Sequence, residues 1–157
     1  MKTLVGFDIC NTLADVEAEI ERIAGPRPEY TRYFHPAVSP AFFEEHPEVF
    51  ADAAPFTGAA EALQVLAASG KRVVYITARP QWARQLTLQW LEKHGFPAGE
   101  VICTQAKPDV IRQLGVSIYV EDAPRELQQL LVVPELKVFR KWQPWNEVFH
   151  GVPMVSW

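Results

Sequence analysis

The sequence has little cysteine, little glycine, no long apolar run and no surplus of positive charge. Its 157 residues include two cysteines, Cys10 and Cys103. Two distant thiols without neighbouring ligand residues do not make a disulfide framework or a Cys/His zinc site. Lys and Arg number 15 against 19 Asp and Glu, for a net charge of -4. The clustered basic excess that grips a nucleic-acid backbone is missing, so no nucleic-acid polymer is expected as a partner. No segment is long and apolar enough to span a bilayer, and no membrane partner is expected. The opening Met1-Lys2-Thr3-Leu4-Val5-Gly6-Phe7-Asp8 holds too short an apolar run for a signal peptide and ends it in a carboxylate. A cytoplasmic location is the expectation. Internal repeats and low-complexity segments are also missing.

What remains is the composition of one globular domain. Hydrophobic residues make up 48% and charged residues 22%, and a chain of this length buries roughly 68–70% of its unfolded surface without staples. The 13 prolines are scattered and read as punctuation rather than as a linker.

The pattern alternates strand and helix. Thr3 to Asp8 reads as a buried strand ending in a carboxylate. Ala14 to Ala24 reads as a helix stopped by Gly25-Pro26. Residues 26 to 56 are rich in proline and aromatics, with one short helix over Pro40 to Val49, bent or broken at Pro47. Thr57 is placed to cap a helix running to Ser69, before Gly70. Arg72 to Thr77 is a strand, Pro80 to His94 a helix closed by Gly95, and Val101 to Cys103 a strand. Lys107 to Leu114 is a helix, Ser117 to Val120 a strand followed by Glu121-Asp122, Pro124 to Leu131 a helix, and Leu136 to Phe139 the last strand. This alternation predicts an α/β fold with a five-stranded parallel sheet, whose ligands gather at the carboxyl ends of the strands.

Three strand ends carry polar chemistry: Asp8, Thr77 and the pair Glu121-Asp122. Lys107 follows a fourth. An aspartate at a strand end can attack phosphorus to give an aspartyl-phosphate. Mg²⁺, which prefers oxygen ligands, can be held by Asp8 and Asp122. The Thr77 hydroxyl and the amide of Ala78 can hold phosphoryl oxygens, and Lys107 can offset the charge of both phosphate and Asp8.

Asp8-Ile-Cys-Asn-Thr-Leu13, Tyr75-Ile-Thr77, Lys107 and Tyr119-Val-Glu-Asp122 resemble, in order and spacing, the four motifs of the haloacid-dehalogenase-like (HAD) phosphatase superfamily. Pro55 to Leu63, Ile76 to Pro80, Trp90-Leu91, Glu121 to Pro124 and the tail around Pro144-Trp-Asn146 resemble its 5'(3')-deoxyribonucleotidase branch. The resemblance spans almost the whole chain. It implies a three-layer Rossmann-like fold with sheet order 3-2-1-4-5, and a small helical cap over residues 13 to 56. It further implies that Asp8 is nucleophile and Mg²⁺ ligand, with Asp122 and the main-chain carbonyl of Cys10 as further ligands. Thr77, Ala78 and Lys107 would bind the phosphoryl group of a small phosphorylated substrate.

One position departs from the pattern. The family's phosphatases carry a second aspartate two residues after the nucleophile, which protonates the leaving group and activates water. Here that residue is Cys10. Losing a positioned acid/base costs about 10²–10⁴-fold in rate, and a thiol with a reference pKa of about 8.5 is a poor substitute. Three readings therefore compete: a Mg²⁺-dependent phosphohydrolase of reduced turnover, a non-catalytic relative that binds a phosphorylated ligand or partner, and an active member specialised for substrates with good leaving groups, which need less acid assistance. Other assignments stay open between bland and functional readings. Glu121 is a partner of Lys107 or a solvated end. Arg79 contacts substrate or makes a structural ion pair. Phe34, Phe42 and Phe43 stack on a base or form the cap's own core. Trp82 and Trp90 are expected to be packing residues, and the four histidines surface or structural ones.

Overall fold

The computed structural model describes residues 2–30 and 33–157. Its centre is a parallel sheet of β1 (Leu4–Phe7), β2 (Arg72–Thr77), β3 (Glu100–Cys103), β4 (Ile118–Glu121), β5 (Lys137–Lys141) and β6 (Met154–Val155), in the order β3-β2-β1-β4-β5-β6. The expected five-strand order is present, and a sixth strand extends it. β6 holds only two residues, too few to display an alternating pattern, and Pro153 supplies its link to β5 through a carbonyl that accepts from Arg140 N at 2.8 Å.

Both faces of the sheet are covered, as a parallel sheet requires. Side chains alternate between two apolar clusters. Val5, Phe7, Val73, Tyr75, Val101 and Val120 join one, while Leu4, Val74, Ile76, Tyr119 and Val138 join the other. The helices are α1 (Val16–Ala24), α2 (Pro40–Glu45), α3 (Glu48–Ala51), α4 (Ala59–Ala68), α5 (Arg84–Lys93), α6 (Lys107–Leu114) and α7 (Pro124–Leu130). Pro47 divides the predicted single helix into α2 and α3. α1 begins at Val16 rather than Ala14, because Asp15 caps it by accepting from Ala18 N at 3.2 Å. α4 begins two residues after Thr57, because Gly58 takes a φ of 86° and serves as the cap. The segment after Pro80 opens with a 3-10 turn at Gln81–Ala83 before α5.

The excursion after β1 leaves and returns at one point. Ala14 bridges to Cys10 on one side and to Pro55 on the other. Asp15 N donates to Ala54 O at 2.8 Å and Phe56 N to Leu13 O at 2.9 Å. Between these ties lie α1, α2 and α3; residues 31 and 32 of the span fall outside the described residues. Among the described residues, no helix is long and apolar enough to cross a membrane.

Gly6 lies beside Tyr119 in the β1–β4 register. A Cβ at Gly6 would stand 2.6 Å from the Tyr119 ring, and the ring is anchored by its hydroxyl, which donates to Ile76 O at 2.7 Å. Gly6→Ala is therefore expected to cost about 1–3 kcal/mol, the usual penalty for overpacking. Urea denaturation measures it; an unchanged midpoint would mean that the ring can move aside.

Candidate active site

The parallel topology brings Asp8, Thr77, Lys107, Glu121 and Asp122 to the carboxyl edge of the sheet, all of them buried. Asp8 follows β1, Thr77 ends β2, and Glu121 ends β4 with Asp122 behind it. Lys107 is the first residue of α6. A lysine there opposes the helix dipole, and two carboxylates compensate it. Lys107 Nζ lies 2.9 Å from Asp8 Oδ1 and 2.8 Å from Glu121 Oε2. Glu121 Oε1 accepts from the amides of Asp122 and Ala123 at 3.0 and 3.2 Å. Both oxygens of Glu121 are thus engaged, and the residue serves as the partner of Lys107.

Asp122 has a different shell. Its Oδ2 accepts from Trp145 Nε1 at 3.0 Å, and its main-chain oxygen accepts from Asn146 Nδ2 at 2.9 Å. The Thr12 hydroxyl sits between the two aspartates, 3.0 Å from Asp122 Oδ1 and 3.2 Å from Asp8 Oδ2. One hydroxyl proton serves only one of them at a time. The turn that carries Thr12 is pinned from the carboxyl-terminal segment: Gln143 Nε2 donates to Asn11 O at 2.9 Å and Trp157 Nε1 to Thr12 O at 3.2 Å. Asn11 takes a φ of 61° in that turn, a left-handed conformation that asparagine tolerates better than most residues.

The electrostatics follow from this packing. Burial would raise the Asp8 pKa, but Lys107 and the surrounding hydrogen bonds outweigh it and hold the carboxyl below its ordinary value. Burial would lower Lys107, yet Asp8 and Glu121 keep it well above the usual range. Burial, Asp8 and Glu121 together push Asp122 well above a normal carboxylate. Oxygens of Asp8, Glu121 and Asp122 lie within 4.8 Å of one another. Burial and Asp8 also push Glu121 up, to about 8. The one ammonium offsets the ionised Asp8, and the remaining carboxyls hold protons that a bound cation would displace. A buried all-oxygen cluster of this kind is the chemistry that fits a hard divalent cation. Asp8 and Asp122 are the members whose oxygens are not both committed to strong donors.

The cluster opens onto a cavity of about 540 Å³ between the sheet edge and the α1–α3 segment. Thr77, Ala78, Cys10 and Lys107 line it. Thr77 Oγ1 accepts from Arg79 N at 3.2 Å. Cys10 is half-buried, its Sγ accepts from Arg79 Nε at 3.2 Å, and burial pushes its thiol pKa up despite the nearby guanidinium. Phe34, Phe43, Phe50 and Trp82 also line the cavity. Trp82 is 43% exposed and touches Phe50 at a ring separation of 5.9 Å, so the packing expectation fails for it. It sits on the 3-10 turn, off the buried face of α5. Trp90 is buried and donates to Ala53 O at 2.7 Å. Phe42 is buried in the α1–α3 core, while Phe34 stands 64% exposed. Sequence reasoning gave no role to Thr12 or Trp145. Thr12 has a local signal, one helical turn's spacing from Asp8; Trp145 is 23 residues from Asp122 and has none.

A sequence model of the family described as "5' nucleotidase, deoxy (Pyrimidine), cytosolic type C protein" matches residues 5–152. A candidate nucleotidase from Bacillus cereus is 29% identical over 113 residues, 69% of this chain and 59% of its own. A candidate 5'(3')-deoxyribonucleotidase from Chlorobaculum tepidum is 33% identical over 89 residues, 53% of this chain and 42% of its own. The chain thus spans about half the length of these relatives. Among solved structures, a haloacid dehalogenase-like family protein from Streptococcus pneumoniae aligns with a TM-score of 0.63 at 17% identity, over 97% of this chain and 91% of that one. A HAD family hydrolase from Deinococcus radiodurans, with phosphate and sodium bound, aligns with a TM-score of 0.62 at 14% identity, over 99% and 91%. These structures share the fold.

The charge imbalance has a measurable consequence in metal-free protein. Because the folded-state pKa of Asp122 is raised, its contribution to stability is fully present below the unfolded value near pH ~4 and is lost as pH rises through the raised value. Asp122→Asn is expected to raise metal-free stability at neutral pH and flatten this slope. Lys107→Met, which strands two buried carboxylates, is expected to cost about 3–5 kcal/mol. Urea midpoints across pH check both, and a destabilised Asp122→Asn would contradict the reading.

Proposed function

The chain belongs to the 5' nucleotidase, deoxy (pyrimidine), cytosolic type C family, and from that premise we propose that it is a Mg²⁺-dependent phosphohydrolase. Its substrate is a small phosphomonoester, a (deoxy)nucleotide, and its path runs through a phosphorylated Asp8. The observation that carries this reading is the buried Asp8 carboxylate, held ionised by Lys107 at 2.9 Å on the wall of a cavity large enough for a nucleotide. The family's description as cytosolic supports a cytoplasmic setting.

In this proposal one Asp8 oxygen attacks phosphorus as the bond from phosphorus to the substrate's oxygen breaks. The departing oxygen keeps the bond's electron pair and takes a proton from the Cys10 thiol or from water. Water then attacks the aspartyl-phosphate at phosphorus, which releases orthophosphate, restores the Asp8 carboxylate and frees one proton, which returns to the Cys10 thiolate or, where water was the donor, to solvent. The Thr77 hydroxyl and the Ala78 amide hold phosphoryl oxygens, and Lys107 offsets their charge. Mg²⁺, bound by Asp8, Asp122 and the Cys10 carbonyl, would supply the positive charge that lets an anionic nucleophile approach an anionic phosphoryl group. Residues 13 to 56 act as a small cap whose aromatic side, with Phe43 and Phe50, shapes specificity and excludes water.

Cys10 sets the rate. A thiol whose pKa burial has raised holds its proton at neutral pH but accepts one from water poorly. Turnover is expected to be slow, and relatively better on an aryl phosphate than on a nucleotide. Cys10→Asp is expected to raise nucleotide turnover by roughly 10²–10⁴-fold, toward the lower end because Arg79 would hold the introduced carboxylate ionised. Asp8→Asn is expected to abolish turnover. Steady-state kinetics with Mg²⁺ on both substrates check this. Wild-type turnover on a nucleotide equal to that of Cys10→Asp would overturn the role given to Cys10. Absence of turnover in both proteins, with phosphate still bound, would favour the non-catalytic alternative.

A further inference from the structure

Resting on the phosphomonoester reading above, we infer that Arg79 is a receptor for a second anionic oxygen group on the same ligand. Arg79 is 3% exposed and lines the cavity. Its guanidinium is held on three sides. Nε donates to Cys10 Sγ at 3.2 Å, Nη1 donates to Thr87 Oγ1 at 2.9 Å, and the group stacks over the Phe50 ring at 4.4 Å. None of these partners is a carboxylate, and the sulfur is a weak acceptor. The remaining nitrogen, Nη2, is buried with no acceptor among the described residues.

The other buried arginines are treated differently. Arg27 also leaves one buried nitrogen, Nη1, unpaired among the described residues, but its guanidinium has a counter-charge, the Glu17 carboxylate at 2.5 Å, and does not line the cavity. Arg140 donates to Val152 O and Asn146 Oδ1 and leaves no buried nitrogen unpaired. A buried guanidinium without counter-charge is unfavourable, since it gives up its hydration for neutral contacts. Arg79 is permanently protonated, so proton loss offers no relief. Its planar fork presents two N–H groups from Nη2 to a carboxylate or phosphate. The nearby carboxylates of Asp8 and Glu121 do not meet this need, being paired to Lys107.

The ligand class that satisfies both cations is a phosphomonoester bearing a second phosphate or carboxylate near the Cys10–Phe50 wall. Among nucleotides, a deoxynucleoside 3',5'-bisphosphate has this feature and the 5'-monophosphate lacks it. Titration calorimetry in Mg²⁺, with Asp8→Asn protein so that neither ligand turns over, compares the two. The bisphosphate is expected to bind about ten- to hundredfold tighter, the range of a hydrogen bond to a charged group. Adding Arg79→Gln should bring that ratio near one, and Arg79→Lys, which keeps the charge without the fork, should retain part of it. The Lys variant decides the matter if the Gln variant fails to fold. Equal affinities before any change at Arg79, or an Arg79 substitution that weakens both ligands by the same factor, would overturn the inference; the second result would place Arg79 on the transferring phosphoryl group. Wild-type protein that hydrolyses neither ligand, with the binding ratio intact, would refute the phosphohydrolase reading and leave the anion site standing.

Discussion

Lys107, wedged between Asp8 and Glu121, is the contact on which the rest of the site depends. Burying three carboxylates at one sheet edge is unfavourable unless cations and donors meet them. Lys107 meets two, at 2.9 and 2.8 Å. Glu121 completes its own shell with two backbone amides and so fixes the Lys107 ammonium from the side opposite Asp8. Asp8 is kept ionised and oriented, while Asp122 remains the member with too little positive charge nearby. That imbalance is the feature on which the proposed cation site rests.

The sheet order makes this arrangement possible. β4 lies next to β1, so the carboxylates ending each strand share one edge, and α6 starts where a lysine can reach both. Parts distant in sequence then brace the edge. Trp145 and Asn146 hold Asp122 from the segment after β5, and Gln143 and Trp157 hold the turn between Asn11 and Thr12. Arg27 stacks on the Trp145 ring at 4.7 Å while bound to Glu17 of α1, so the α1–α3 segment rests on the same residue that supports Asp122. The cavity has two unlike halves as a result: a charged edge rigidly braced from below, and an aromatic wall of Phe43, Phe50 and Trp82 above it.

Much of this was legible in the sequence because local chemistry encodes it. Apolar runs ending in Asp8, Thr77 and Glu121-Asp122 marked both the strands and the edge where their ends gather. The position of Pro47 foretold the break between α2 and α3. Thr57 was misleading because a glycine in the left-handed region, Gly58, begins the helix just as well. β6 stayed hidden because two residues carry no period. The reach of Thr12 to Asp122, the support from Trp145 and the unpaired nitrogen of Arg79 depend on contacts between residues far apart in sequence, and no local pattern reports those. Trp82 looked like a core residue by its helical spacing, but the 3-10 turn at the head of α5 rotates it toward the cavity.

The central claim is that the buried acidic edge takes a divalent cation in exchange for a proton. Calorimetric titration of Mg²⁺ near neutral pH, repeated in two buffers of different ionisation enthalpy, tests it directly. Binding is expected with net proton release, because carboxyls that burial and mutual repulsion have raised, Asp122 among them, give up protons to a bound cation. Asp122→Asn is expected to bind far more weakly and to release fewer protons. Mg²⁺ binding of equal strength in both proteins, or no binding in either, would contradict it.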